Sequence, residues 1–129
     1  MANGTIAFDT LSTSGQISGT AKSVDSDYLA SGICTCWIHF NQDAASIADS
    51  FNVSSVEDSA TGHFYSTFST NMGNATYVGH VGFNPEATLN HNTHYIDQRA
   101  THRFRSTTAE NGANRDITSS SSSIHGDLT

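Results

Sequence analysis

Between Cys34 and Phe83 the chain alternates apolar and polar residues with a period of two, and that period belongs to strands rather than helices. The stretch holds the only Trp (Trp37), both Cys, five of the seven Phe and two of the four Tyr. If the protein has a dense core, most of it is built here. In residues 33–41 one face carries Cys34, Cys36, Ile38 and Phe40, and the other carries Ile33, Thr35, Trp37 and His39. Both faces are substantially apolar, so this segment is expected as a central strand. Residues 46–58 continue with Phe51 and Val53 set against Asn52, Ser54 and Val56. Residues 63–70 place Phe64, Ser66 and Phe68 against His63, Tyr65 and Thr67. Residues 75–83 place Tyr77, Gly79, Val81 and Phe83 against Val78, His80 and Gly82. The turn signals SATG (59–62) and NMGN (71–74) separate these runs, which therefore read as a β-meander. Gly79 and Gly82 inside a strand predict a bulge or a close backbone approach.

The rest of the chain agrees with a strand-and-turn architecture. Only 36 % of residues are apolar and 13 % charged, so Ser, Thr, Asn and Gly dominate, and these are poor helix-interior residues. Residues 4–11, with Ile6 and Phe8, suit a short strand. Residues 12–27 are polar and Gly-punctuated; they read as an extended arm or a loose pair of edge strands, ordered by packing on a neighbouring subunit. Residues 84–92 form a loop with the only proline, Pro85. Residues 93–106 make one long strand or two, with Tyr95, Ala100 and Phe104 inward. Asn111-Gly112 is a hairpin dipeptide, and residues 117–128 close the sheet as a Ser-rich edge strand. A chain of 129 residues with turns at this spacing predicts one all-β domain, a jelly-roll-like antiparallel β-sandwich. The polar N-terminal arm occupies residues 1–32 and the sandwich residues 33–129. No internal repeat divides the chain.

The formal net charge of −7 argues against non-specific nucleic-acid binding, which needs basic patches. Lys22 is the only lysine; the other cations, Arg99, Arg103, Arg105 and Arg115, fall in the last third and read as a solvated strand face or an ion-pairing subunit contact. Cys34 and Cys36 share a strand face with Cα atoms about 6.5–7 Å apart, at the limit for a disulfide. They read as free thiols packed as small hydrophobes. The opening MANGTIAFDT lacks the charged and apolar regions of a secretory signal, and no run approaches the roughly 18 apolar residues of a membrane helix. The expectation is a protein made in a cytoplasm, without membrane insertion.

Candidate chemistry is sparse. Seven histidines occur: His39, His63, His80, His91, His94, His102 and His125. His91 and His94 are three apart with His102 following, but no matching second ligand pair accompanies them. The carboxylate pairs Asp25 with Asp27, and Asp43 with Asp49, sit in or near loops and read as solvated acids rather than a facing acid–base pair. No nucleophile elbow, phosphate loop, zinc-protease or calcium-loop motif occurs. Cys34 with a distant histidine formally resembles a thiol-protease pair, but its mid-strand position argues for core. The N-x-S/T sequons at Asn3, Asn52 and Asn74 read as polar outer surface. Trp37, Tyr65, Tyr77 and Tyr95 are candidates to stack on sugars, or else to fill the core and its rim. The expectation is no catalytic, metal or cofactor site.

The pieces WIHFN (37–41), DSFNVSSVEDSATGHFYSTFSTNM (49–72) and NATYVGHVG (74–82) resemble, in order and spacing, a module of tailed-bacteriophage virion proteins described as tail-fibre or tail-associated structural proteins. The likeness covers about fifty residues directly and extends weakly to RFRSTTAENG (103–112); the N-terminal GTIAFDTLSTSGQISGTAKS is similar to the start of small marine-phage structural proteins. His39 replaces the Asn usual in that pattern, and residues 84–94 depart from it. The resemblance implies a β-sandwich, no catalytic residues, and a structural role in the virion's tail or tail fibre, made in the bacterial host cytoplasm. Its expected partners are its own copies as a homo-oligomer, most simply a homotrimer, other virion proteins, and a host surface glycan in viral attachment. The alternatives are a capsid decoration protein and a carbohydrate-binding module.

Overall fold

The computed structural model describes residues 16–18, 23–25, 32–83 and 92–129. The predicted strand at 4–11, the loop around Pro85, and Asn3, Lys22, Asp27 and His91 lie outside the described residues. Among the described residues eleven strands run in chain order. Gln16–Ser18 (β1) and Ser23–Asp25 (β2) pair with each other, antiparallel, as a separate two-stranded ribbon. The others are Cys34–Asn41 (β3), Ser46–Phe51 (β4), Val53–Ala60 (β5), His63–Phe68 (β6), Val78–Phe83 (β7), Asn92–Arg99 (β8), Arg103–Glu110 (β9), Ala113–Asn114 (β10) and Ser120–His125 (β11).

Two antiparallel sheets pack face to face as a β-sandwich. Sheet I has the order β4-β3-β11-β7; sheet II runs β5-β6-β9-β8, with the short β10 also on β9. The chain passes between the sheets from β4 to β5, β6 to β7, β7 to β8 and β9 to β11, so the pairings β3-β11, β7-β11 and β6-β9 join strands distant in sequence.

The alternation predicted for the best strands is the one observed. Along β6 the burial pattern puts Phe64, Ser66 and Phe68 inside and His63, Tyr65 and Thr67 toward solvent. Along β3, Cys36, Ile38 and Phe40 are buried, and β3 is an interior strand of sheet I, as expected. Its other face differs from expectation: Trp37 and His39 are exposed, and Thr35 is buried because its hydroxyl donates to Ile124 O (3.2 Å). The core is built on rings: Phe40 of sheet I packs on Phe64 of sheet II (centroids 4.7 Å), Phe68 packs on Phe104 within sheet II (5.6 Å), and Phe68 lies edge-on to Tyr77, just before β7 (5.8 Å). Ile38, Met72, Ile96 and Ile124 fill between them. Each such side chain contributes about 1.5–3 kcal/mol on burial. Gly79 is a site of close approach, as its place within a strand predicted: a Cβ there would sit 2.2 Å from Ile96 Cδ1.

Four expectations are corrected. The run over residues 46–58 is two strands in different sheets, hinged at Asn52, whose φ is +56°. The meander stops after β6, because β7 lies beside β11 in the other sheet. The NMGN segment is no tight hairpin; Met72 is buried beneath the core rings and bridges to Leu128. The serine strand β11 is central, between β3 and β7, with Ser120, Ser122 and Ile124 facing inward. Serine fits there because the hydroxyls find partners: Ser120 Oγ donates to Phe40 O (3.0 Å), and Ser122 Oγ meets Ser106 Oγ across the sandwich (3.1 Å).

Candidate functional site

The outer faces of the two sheets carry the side chains that chemistry would use. On sheet I, cross-strand register sets Phe51, Trp37, Ser123 and His80 in one transverse row, and Asp49, His39, Ser121 and Gly82 in the next. The rows enclose a shallow trough of about 370 Å³ lined by Trp37, His39, His80, Ser121 and Ser123. Its floor is small because β11 is serine, and its walls stand up because the flanking strands carry an indole and imidazoles. His125 lies beside His80, ring centroids 5.6 Å apart and edge-on.

Strand β4 borders this face. Among the described residues it pairs only with β3, and none of its side chains is buried. Phe51 is 53 % exposed and Trp37, directly across from it on β3, 37 %; Ile47, opposite Phe40 farther along β4, is 41 % exposed. Apolar groups this large on an unpaired edge are a template for association.

On sheet II the centre of the outer face is Tyr65. The Arg103 guanidinium carbon lies 4.1 Å from its ring centroid and that of Arg105 5.8 Å. Arg105 is held by Asp97, with Nε donating to Oδ1 at 2.9 Å, and this hydrogen-bonded guanidinium keeps the Asp97 carboxyl below the usual carboxylate range. Gln98 fits best with its amide nitrogen donating to Tyr65 Oη (2.7 Å) and its oxygen accepting from Arg105 (3.2 Å). A bulge between Ile96 and Gln98 turns both Asp97 and Gln98 outward, where they meet Arg105. Arg103 has a longer, exposed pairing with Glu57 at 3.6 Å. Arg115 pairs with Glu110.

The remaining sequence candidates separate. Cys36 is a core residue whose thiol burial pushes up to about 12, with Cys34 adding to the shift, so it is no nucleophile at neutral pH. Cys34 Sγ donates to Cys36 O (3.0 Å), and both thiols are free, as expected. Tyr77 is buried, donates to Ala100 O (3.3 Å) and Arg103 O (3.1 Å), and has its hydroxyl pushed up to about 12 by burial; it is core, not a sugar platform. Tyr95 is exposed rather than inward, and Ile96 takes the core position. His94 bonds through Nδ1 to Gly82 O (3.1 Å), and burial lowers its pKa to about 4. His63 bridges Thr107 Oγ1 (2.8 Å) and Asn114 Nδ2 (2.7 Å). Asn52 and Asn74 spend their side chains on local hydrogen bonds. Asp43 lies exposed in the β3–β4 turn, and Asp49 lies on β4 opposite His39.

His39 Nε2 lies 3.0 Å from Ser119 Oγ. Such a contact activates a hydroxyl when a third group orients the ring and donors await the developing oxyanion. Here the cross-strand Asp49 accepts from Ser50 N–H (2.8 Å), and the pair lies on exposed surface. Among the described residues no three His, Cys, Asp or Glu side chains converge as metal ligands. The two faces offer an apolar edge with a hydroxyl-floored trough, and an arginine–tyrosine surface. The latter escaped sequence reading because Tyr65 meets Arg103 and Arg105 only through the pairing of β6 with β9. Comparison with protein-family models, with curated proteins and with solved structures finds no match to this chain.

Proposed function

We propose that this chain is a non-catalytic structural protein of a bacteriophage virion, of the tail or tail-fibre apparatus, that docks on neighbouring subunits through the β4 edge of sheet I. The observation that carries the docking part is the exposed Ile47 and Phe51 on β4, a strand whose outer edge has no partner among the described residues, with the exposed Trp37 of β3 directly across from Phe51. Burying those three side chains together with the free backbone edge supplies both apolar area and ladder hydrogen bonds, the two components of strand-addition interfaces. The virion part rests on the likeness of residues 37–82 to phage tail modules. A homo-oligomer, most simply a homotrimer, fits repetition of one edge-to-face contact around a closed ring.

A second reading, a carbohydrate-binding module, is favoured by the trough in which the Trp37 indole stands beside Ser121, Ser123 and His80. Aromatic faces with flanking hydroxyls suit pyranose rings.

Immunogold labelling of particles from a phage that carries the gene tests the virion reading. Gold on the tail or its fibres supports it. Gold over the head moves the protein to capsid decoration, and no gold on the particles overturns the virion assignment.

A further inference from the structure

The chain carries a net charge of −7 and only five Lys and Arg residues, yet Arg103 and Arg105 both lie against Tyr65 on the outer face of sheet II, and Arg99 at the end of β8 lines a pocket with Arg103. There Tyr65, Gln98, Arg99, His102 and Arg103 surround a pocket of about 140 Å³. We infer that this pocket is a binding site for a carboxylate-bearing sugar unit of an acidic polysaccharide.

Three observations lead there. First, the pocket has unspent positive charge. Arg105 is neutralised by Asp97, and Arg103 has only the long, exposed contact with Glu57 at 3.6 Å. Arg99 is exposed and makes no ion pair with the described residues. A guanidinium fork matches a carboxylate in two parallel hydrogen bonds, which a lysine would not offer.

Second, the pocket is held rigid. The turn that joins β8 to β9 is fastened at four points: Ala100 N–H donates to Arg103 O (2.9 Å), Met72 N–H to Thr101 O (2.8 Å), Phe68 N–H to His102 O (2.9 Å), and Tyr77 Oη to Ala100 O and Arg103 O. Those bonds draw the turn's carbonyls toward the protein and leave the side chains of Arg99, His102 and Arg103 as its outer surface. Tyr65 stacks under Arg103 and limits its rotamers. A ligand therefore meets donors that are already placed.

Third, the size and lining suit a sugar. The volume is that of about one pyranose ring, and the Gln98 amide and the His102 imidazole add hydrogen-bonding groups for hydroxyls. The site does not rest on the virion reading; if both hold, it is the point of contact with a charged host surface.

The test is calorimetric titration of the full chain with galacturonate, glucuronate and sialic-acid oligosaccharides, with the same sugars methyl-esterified, and with inorganic phosphate. At least one acidic sugar should bind, its ester at least tenfold more weakly, and phosphate more weakly still. Arg103→Gln should reduce that affinity tenfold or more. Arg99→Gln, at an exposed position, serves as a second variant should R103Q fail to fold by circular dichroism. Glu57→Gln, which removes the competing carboxylate, should tighten binding about two- to fivefold, as expected for one exposed pair. Equal binding of acid and ester, phosphate binding as tightly as the sugars, no binding of any acidic sugar, or unchanged affinity in both arginine variants overturns the inference. None of these outcomes bears on where the protein sits in a virion.

Discussion

At the scale of single residues, Asn52 decides where the chain changes sheets. It adopts φ +56°, a left-handed conformation that Asn tolerates better than most residues. Its side chain then repays the strain: Nδ2 donates to Thr35 O and Thr70 O (3.1 Å each), Oδ1 accepts from Thr70 N–H (2.7 Å), and its own carbonyl accepts from Ser69 N–H (3.2 Å). Asn52→Ala removes the side-chain bonds and keeps the strain, so it should destabilise by about 2–4 kcal/mol. Asn52→Gly should recover about 1 kcal/mol of that, because glycine accepts the backbone angle. Urea denaturation of both variants separates the two contributions. His94 sets a pH dependence. Its pKa falls from 6.5 to about 4 on folding, since burial opposes the charged ring. The unfolded chain therefore binds more protons between those values. The stabilisation is full above about pH 6.5, is lost as pH falls toward about 4, and amounts to roughly 3 kcal/mol at most. His94→Gln should flatten the stability profile over that interval in a pH series of thermal melts.

At the scale of elements, the strands differ in how their inner polar groups are served. Ser106 Oγ and Ser122 Oγ satisfy each other across the core, whereas the fully buried Ser66 Oγ has no partner among the described residues. Ser66→Ala should therefore be neutral or stabilising by up to about 1 kcal/mol, while Ser106→Ala orphans Ser122 and should cost about 1–2 kcal/mol. Chemical denaturation midpoints distinguish the two. These serines also show what the sequence discloses. Strand β6 was legible because Phe64 and Phe68 mark its inner face against His63 and Tyr65. In β11, residues 120–123 are all serine, so the inner and outer faces are chemically identical and the strand read as an edge. Only its pairing with both β3 and β7 reveals it as central. Tyr95 read as inward because aromatic content outweighed Ile96 in a run with two possible phases. The candidate sites were less legible still. Trp37 was visible as an aromatic, but its trough needs His80 brought across β11, and Tyr65 acquires its arginines only through register with β9.

At the scale of the whole molecule, the sandwich exposes large apolar side chains along the β4 edge of sheet I. Phe51→Asp places a charge in the middle of the exposed apolar group on β4, outside the core, so the fold should survive with a melting temperature within a few degrees of the parent. If that edge joins copies of this chain, sedimentation velocity should show the oligomer reduced to monomer; an unchanged oligomer would assign self-association elsewhere. The central place of β11 has a further consequence, for how the protein is made. Ser120 bonds to Phe40 across 80 residues of chain, so sheet I holds only the β3–β4 hairpin until the serine strand arrives. Loop closure over that distance makes such pairings slow to nucleate. On the ribosome, β3 and β4 emerge early and wait with their apolar face open, prone to capture by other chains. Productive folding is then a race between emergence of β11 and misassembly, and a missing β11 would leave a sticky half-sheet rather than a smaller stable domain.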